Sequence, residues 1–397
     1  MAVASVFHGG FAARAAHEVI GQFVAGGDVE IDGVLESLRH RSLLRAYEPG
    51  EHPGRTRFAV ARIAQSYARE RLLELGVAAD AMRGHADYYL RAAEALAPDC
   101  YRAGGLEVLR GLALEWPNIS AIQHRALRVS PPTSRSATRA LRAAMAFEPI
   151  AVLRSRHEEF ARVLDRSLAA AQHAGADAKL MARALLARVR TSIALGGTRD
   201  DAGLLDAAQV LADAEVDTVL SARVAIATGK RFQALRRFGD ARREYRRATD
   251  ALAGQGAPLQ LGLAYLGLGE SYMRQAHLET AQSCLLMAQK LFRDSGLQHA
   301  DAVATATLGR VRLNLDYPDK AAEDLHWAER VFRAFDDKRK EAALQLELGR
   351  LHRRSGEFES AWRLFTQAME TARHVGAEKL EAAAREQLQR LGARDPE

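Results

Sequence analysis

The sequence predicts an all-α fold in which helical hairpins stack into a superhelix, and three observations carry that reading. Gly229, Gly269, Gly309 and Gly349 recur at intervals of 40 residues, each in the same local context. Twelve residues after each glycine stands an alanine (Ala241, Ala281, Ala321, Ala361), and seven further on another (Ala248, Ala288, Ala328, Ala368). The composition agrees: 397 residues exceed one compact core, and 48% hydrophobic residues with 10 prolines favour helices over sheets.

Taken in order, the first hundred residues read differently from the rest. Phe11 to Ile20 and Ile31 to Arg41 have helical spacing, with Gly9-Gly10 and Gly26-Gly27 as turns. Leu43 to Tyr47 and Arg57 to Val60 read as two strands around Glu48-Pro49-Gly50-Glu51-His52-Pro53-Gly54, with Phe58 and Val60 turned inward. A helix from Ala61 to Leu75 then ends at Gly76, a natural C-cap. Helix, helix, hairpin, helix is the outline of a winged helix, assigned to residues 1–78.

A helical connector follows over about 79–128, where His85, Tyr88 and Tyr89 are packing residues and Asn118 is expected to cap or bond locally. Ser130-Pro131-Pro132-Thr133-Ser134 breaks the chain before a repeat array over 135–397. Phe160 to Ala171 and Leu180 to Leu195 extend the array in degenerate form, and clear repeats begin near 222, 262, 302 and 342. The polar exterior of Glu378 to Leu391 suits a capping helix, and Asp395-Pro396-Glu397 a frayed tail.

Small residues recur because two antiparallel helices approach closely only where glycine or alanine replaces bulk. Tyr245, Leu285, Leu325 and Phe365 then fill one equivalent position on the second helix, and Leu252, Phe292 and Phe332 another. This register is the tetratricopeptide pattern, clearest where Leu348-Gly349, Gly356, Phe358, Ala361, Phe365 and Ala368 fall in place. An interval of 40 residues against the usual length of about 34 implies helices roughly a turn longer, or longer connections. The copies carrying Pro318 and Thr228 look weakest.

The succession VFHGGF, AAHEV, LESLRHRSLL, RTRFAVARIAQSYARERL, GHADYYLRAAE and LALEWPNISAIQHRAL, over about residues 3–128, resembles the segment after the nucleotide-binding core in signal-transduction ATPases with numerous domains (STAND ATPases). It is similar to the large bacterial transcriptional regulators of that class, whose regulatory half is a winged helix followed by tetratricopeptide-like repeats. The phosphate loop GxxxxGK[ST] occurs nowhere, and the nearest approach, Gly229-Lys230, is a repeat glycine followed by Arg231. The resemblance therefore implies a regulatory half without its motor, opening within the first helix of the winged helix. Any nucleotide hydrolysis would need a separate nucleotide-binding partner.

Candidate binding residues follow from register. The first helix of each tetratricopeptide pair lines an inner groove, which points to Lys230, Glu270, Arg310 and Arg350, and four residues on to Ala234, Arg274, Asn314 and Arg354. Arg274, Arg310, Asn314, Arg350 and Arg354 form a ladder of donors for a protein or peptide carboxylate, or for an anionic small effector. Ordinary surface charge, with partners such as Glu347, is the equal alternative. Arg39, Arg41, Arg45, Arg55 and Arg57 are candidate nucleic-acid contacts, since residues 39–71 hold eight arginines against three acids. Glu36 opposes that reading, and packing of the module as a hinge is the alternative. Residues 223–247 hold nine basic residues against Asp240 and Glu244, read as a solvated outer face.

Enzyme chemistry finds no support: HExxH and a serine nucleophile elbow are absent, and thirteen histidines are scattered. No catalytic, cofactor or metal residues are assigned. Cys100 and Cys284 lack metal or redox spacing and read as buried free thiols. Neither a membrane span nor a signal peptide is evident, so the cytoplasm is the expected location. The sequence thus points to a non-enzymatic binding scaffold in bacterial signal transduction or transcriptional regulation, with a DNA-binding regulator as the alternative.

Overall fold

The computed structural model describes residues 1–24, 30–50, 54–197 and 201–392. Gly26-Gly27, Glu51 to Pro53 and the Asp395-Pro396-Glu397 tail lie outside the described residues. The chain forms α1 (Ala13–Ile20), α2 (Ile31–His40), β1 (Leu44–Tyr47), β2 (Arg57–Val60), α3 (Arg62–Glu74), α4 (Ala78–Leu96), α5 (Gly105–Leu127), α6 (Ser134–Ala146), α7 (Glu148–Leu153) and α8 (His157–Ala174). Then come α9 (Ala178–Ala194), α10 (Asp201–Ala214), α11 (Thr218–Ala234), α12 (Phe238–Leu252), α13 (Pro258–Met273), α14 (Leu278–Asp294), α15 (Gln298–Asn314), α16 (Pro318–Ala334), α17 (Lys338–Arg354), α18 (Phe358–His374) and α19 (Glu378–Gly392). The fold is all-α and tetratricopeptide-like. None of the described helices is long and apolar enough to cross a membrane.

Two compact units result. The first is Met1–Pro98, Glu107–Phe147 and Arg166–Ala176; the second is Asp99–Leu106, Glu148–Asp165 and Asp177–Glu397. This division differs from the boundaries expected near 78, 128 and 135. Most of the region expected to be a helical connector, 79–98 and 107–128, packs with the N-terminal elements, because α5 carries the polar side chains that hold residues 8–10 and 57 in place.

In the first unit β1 and β2 pair antiparallel, Leu44 opposite Val60 and Tyr47 opposite Arg57, and Phe11 bridges to Phe58. Phe7 stacks on Phe11 at 4.1 Å, and His85 and Tyr89 close the cluster edge-on. Asn118 does not cap a local helix start. It lies inside α5, fully buried; its Oδ1 accepts from the His8 amide at 2.7 Å and lies 3.2 Å from His85 Nε2, while Nδ2 donates to Gly10 O at 2.9 Å. The strand β2 buries Arg57 and leaves Phe58 and Val60 half-exposed, the reverse of the expected alternation, because the Arg57 guanidinium is claimed by Glu115 and Gly10 O.

Arg125 Nη2 lies 2.9 Å from His85 Nδ1, so a neutral ring accepts there and donates from Nε2 to Asn118. Burial and the Arg125 charge push the His85 pKa down to about 3. Its folded value thus lies below its unfolded one, so this contribution is whole above about pH 6.5 and is lost as pH falls toward about 3. The expected slope is about 1.4 kcal/mol per pH unit between those limits. Urea titrations from pH 7 to 4 should show it, and His85→Gln should flatten it; an equal slope in the variant contradicts this assignment.

The second unit is built on one interval. The first helices α9, α11, α13, α15, α17 and α19 start at residues 178, 218, 258, 298, 338 and 378, so the degenerate Leu180 to Leu195 segment is a full repeat in register. Helices α14 to α18 each have 17 residues, separated by three-residue turns such as Leu315-Asp316-Tyr317. Longer helices, not longer loops, make the 40-residue interval. Pro318 opens α16 at its first turn, where a missing amide costs nothing.

Each recurring glycine meets the residue sixteen positions on: a Cβ at Gly229, Gly269, Gly309 or Gly349 would lie within about 3.0 Å of Tyr245, Leu285, Leu325 or Phe365. Every twenty residues the chain turns through a positive φ, at Gly196, Val216, Arg236, Gly256, Ala276, Gly296, Asp316, Asp336, Gly356 and Gly376. Val216 is the costliest occupant, β-branched at φ 50° and 88% exposed, so it gains little from packing. Val216→Gly is expected to raise stability by about 1 kcal/mol, read as a higher melting temperature; a lower one would contradict the strain.

Candidate functional site: the inner face of the repeats

Successive first helices touch one another directly, α9 to α11 and α11 to α13 most closely, which places them along the tighter radius of the array. Register then sets Arg190, Lys230, Glu270, Arg310, Arg350 and Arg390 at one equivalent position, one turn before the end of each first helix. The array bends until distant repeats meet. Arg339 at the start of α17 donates to Ala194 O at the end of α9 across 3.2 Å, and Lys379 Nζ approaches Gly196.

Segments earlier in the chain complete this face. Glu148 pairs with Arg190, and Arg154 pairs with Asp336 at 2.7 Å. The Tyr101 ring sits edge-on to His299 at 6.1 Å, and His299 in turn lies against Phe332 and Phe335. His299 Nε2 is 2.9 Å from Asp337 Oδ2; burial holds the histidine pKa down, so the neutral ring donates. Burial would raise the Asp337 carboxyl, but Lys340 and His299 outweigh it and hold the pKa below its usual value.

Positive charge is in excess around Glu148. Burial, then Arg190 and Arg183, push the Arg223 pKa down to about 10, and burial lowers that of Lys230 against the pull of Glu270. The basic run over 223–247 is therefore two features. Arg223 and Lys230 belong to α11, whereas Arg243 and Arg247 on α12 are exposed and paired with Asp240 and Glu244, with Arg237 also on Asp240.

The predicted donor ladder is dispersed by its partners. Arg310 donates to Thr307 Oγ1 at 3.1 Å, and Arg350 pairs with Glu347 at 3.0 Å. Arg354 ties neighbouring repeats together, donating to Leu313 O at 2.9 Å and facing Asp316. Arg274 and Asn314 are exposed at helix ends. Glu148, Tyr101 and Arg190 were missed, since nothing in the local sequence links residues some 40 to 200 apart.

In the first unit Arg41, Arg45 and Arg55 are exposed, Arg45 over the Tyr47 ring at 5.2 Å, while Arg39 is paired with Glu36. Arg57 must be withdrawn as a nucleic-acid contact. It is 4% exposed, and although burial opposes its charge, the Glu115 carboxylate raises its pKa and occupies its guanidinium. Cys100 is buried and Cys284 half-buried, and neither forms a disulfide.

No protein-family model matches the chain, and no curated protein sequence matches it. Solved structures do. A STAND protein with a tetratricopeptide repeat sensor, PH0952 from Pyrococcus horikoshii, is similar at a TM-score of 0.50 and 13% identity, over 98% of this chain and 62% of that one. The chain thus spans under two thirds of that relative. A Rap protein complexed with Competence and Sporulation Factor is similar at 0.51 and 10% identity, over 78% of this chain and 98% of its own. The Rap conjugation gene regulator of plasmid pLS20, in complex with the Phr* peptide, is similar at 0.51 and 13%, over 79% and 98%. At these identities the likeness is one of fold, and it bears out the tetratricopeptide-like superhelix.

Proposed function

We propose that this protein is a non-enzymatic regulatory scaffold whose repeat array binds a peptide, a protein segment or an anionic small effector along its inner face. The supporting observation is the row Arg190, Lys230, Glu270, Arg310, Arg350 and Arg390, which repeats one charged position on successive first helices. One Rap protein is complexed with Competence and Sporulation Factor and the other with the Phr* peptide, and this chain shares their fold, which favours a binding role for the array. A ligand that prefers one curvature shifts the array toward it, which supplies a mechanical readout. Arg274, Asn314 and Arg354 would flank the ligand. The N-terminal module derives, on this reading, from a winged helix, and the chain acts in bacterial signal transduction or transcription, in the cytoplasm, alone or with a separate nucleotide-binding protein.

Peptides selected from a display library on the full chain test this. Binding is expected to weaken at least tenfold in Arg310→Glu/Arg350→Glu and to fall with added salt; peptides that bind the variant equally would overturn it. A DNA-binding alternative is favoured by the exposure of Arg41 just after α2, Arg45 on β1 and Arg55 in the hairpin. A mobility-shift titration across salt, with those three changed to alanine, decides it: a steep salt slope lost in the variant supports DNA binding, and absent or unchanged binding ends it.

A further inference from the structure

The chain itself supplies an occupant for the face just described. Asp99–Leu106 belongs to the same compact unit as the repeats, although α4 and most of α5, which flank it in sequence, do not. At its start the short 3-10 turn Ala97–Tyr101 ends and presents Tyr101. The ring meets His299 of α15, itself backed by Phe332 on α16 and Phe335 at its end, so the aromatic surroundings come from one helical hairpin. Beside it Glu148 reaches Arg190 of α9. One aromatic side chain and one carboxylate therefore engage first helices that lie three repeats apart in sequence.

The chemistry around them exceeds what these two groups use. Arg190 has a carboxylate, but Arg223 and Lys230, on the neighbouring first helix, form no ion pair within 4 Å among the described residues, and both are shifted by burial in the direction of an under-compensated cation. An excess of half-buried cations on one face favours an added anion. Glu148 and Tyr101 are thus a partial fill, with aromatic and acidic character, of a face that can take more negative charge.

We propose that the inner face carries a binding site for an aromatic side chain flanked by a carboxylate, formed by His299, Phe335 and the cations Arg190, Arg223 and Lys230, and held in cis by Tyr101 and Glu148. A peptide with that pair of groups competes with the loop at 99–106, and releasing the loop is the switch. This deepens the scaffold reading and rests on it.

The probe is a synthetic peptide of residues 96–107, LAPDCYRAGGLE, which carries Tyr101 and, in Asp99 two residues before it, a carboxylate to stand in for that of Glu148. Titrated under reducing conditions into the full chain, it is expected to bind Tyr101→Ala at least tenfold tighter than wild type, and the same peptide with alanine for tyrosine at least tenfold weaker. Arg190→Gln in the Tyr101→Ala background should lose a further tenfold. Equal binding of both peptides, or no binding to a Tyr101→Ala protein with intact helical circular dichroism, overturns the proposal; library peptides still sensitive to Arg310 and Arg350 would leave the scaffold reading standing. Should Tyr101→Ala fail to fold, His299→Gln keeps a donor for Asp337 and removes the ring partner. Hydrogen exchange at 99–106 is then expected to quicken tenfold, and unchanged exchange refutes the site.

Discussion

Asn118→Ala is expected to destabilise the first unit by about 3 to 5 kcal/mol, the largest loss for any single polar side chain in it. The amide serves four groups at once: the His8 amide, His85, Gly10 O and Glu115. With no side-chain amide, a buried backbone N–H and the His85 Nε2–H lose their acceptor, and each such orphan costs about 1 to 3 kcal/mol. Glu115 loses a donor while still holding Arg57, whose guanidinium also reaches Gly10 O at 2.9 Å. The effect therefore spreads to β2 and to the bridge between Phe11 and Phe58. Asn118→Asp separates the terms, since it keeps the acceptor but sets a second carboxylate beside Glu115; it should cost at least as much at neutral pH. Urea denaturation measures both, and a loss below 1 kcal/mol for the alanine variant would mean that solvent replaces the amide.

That network marks where the sequence stops being legible. Elements with a local signature were readable to within a residue or two: β2 over Arg57–Val60, the cap at Gly76 with φ 70°, and α19 as a terminal helix. The repeat interval located four hairpins, because glycine and the side chain it admits lie sixteen residues apart and recur together. The fifth, α9 and α10, was harder since Val189 stands where the glycine recurs and erases the motif, although Leu205 keeps the equivalent buried position on the second helix. What resisted was long-range pairing. Arg57 looks like any wing arginine until Glu115 is seen beside it, and Arg354 looks like a free donor until the preceding repeat supplies Leu313 O. Exposed charge and buried charge share one sequence signature, so a register can place a side chain on a face without saying whether the face is open.

Gly267→Ala in the repeat array should cost about 3 kcal/mol, more than alanine at the recurring Gly309, because its neighbour cannot retreat. A Cβ there would sit 2.3 Å from Tyr245 Cζ, whereas one at Gly309 would sit 3.0 Å from Leu325 Cγ. The Tyr245 ring lies between two glycines on different first helices, since a Cβ at Gly229 would be 2.8 Å from it on the other side. Its hydroxyl donates to Gln233 Oε1 at 2.7 Å, and Gln233 Nε2 donates to Gly267 O at 3.0 Å and Ser271 Oγ at 2.9 Å, so moving the ring strains three hydrogen bonds, two of which join adjacent repeats. The other repeats support the steric cause. Leu285 and Leu325 stand where Tyr245 does, and the register position of Gly267 is then Thr307 and Glu347, side chains that a leucine leaves room for. In a double-mutant cycle the penalty of Gly267→Ala is accordingly expected to fall below about 1 kcal/mol when Tyr245→Leu is already present. Equal penalties in the two backgrounds would show that backbone placement, and not the clamped ring, fixes glycine at this position.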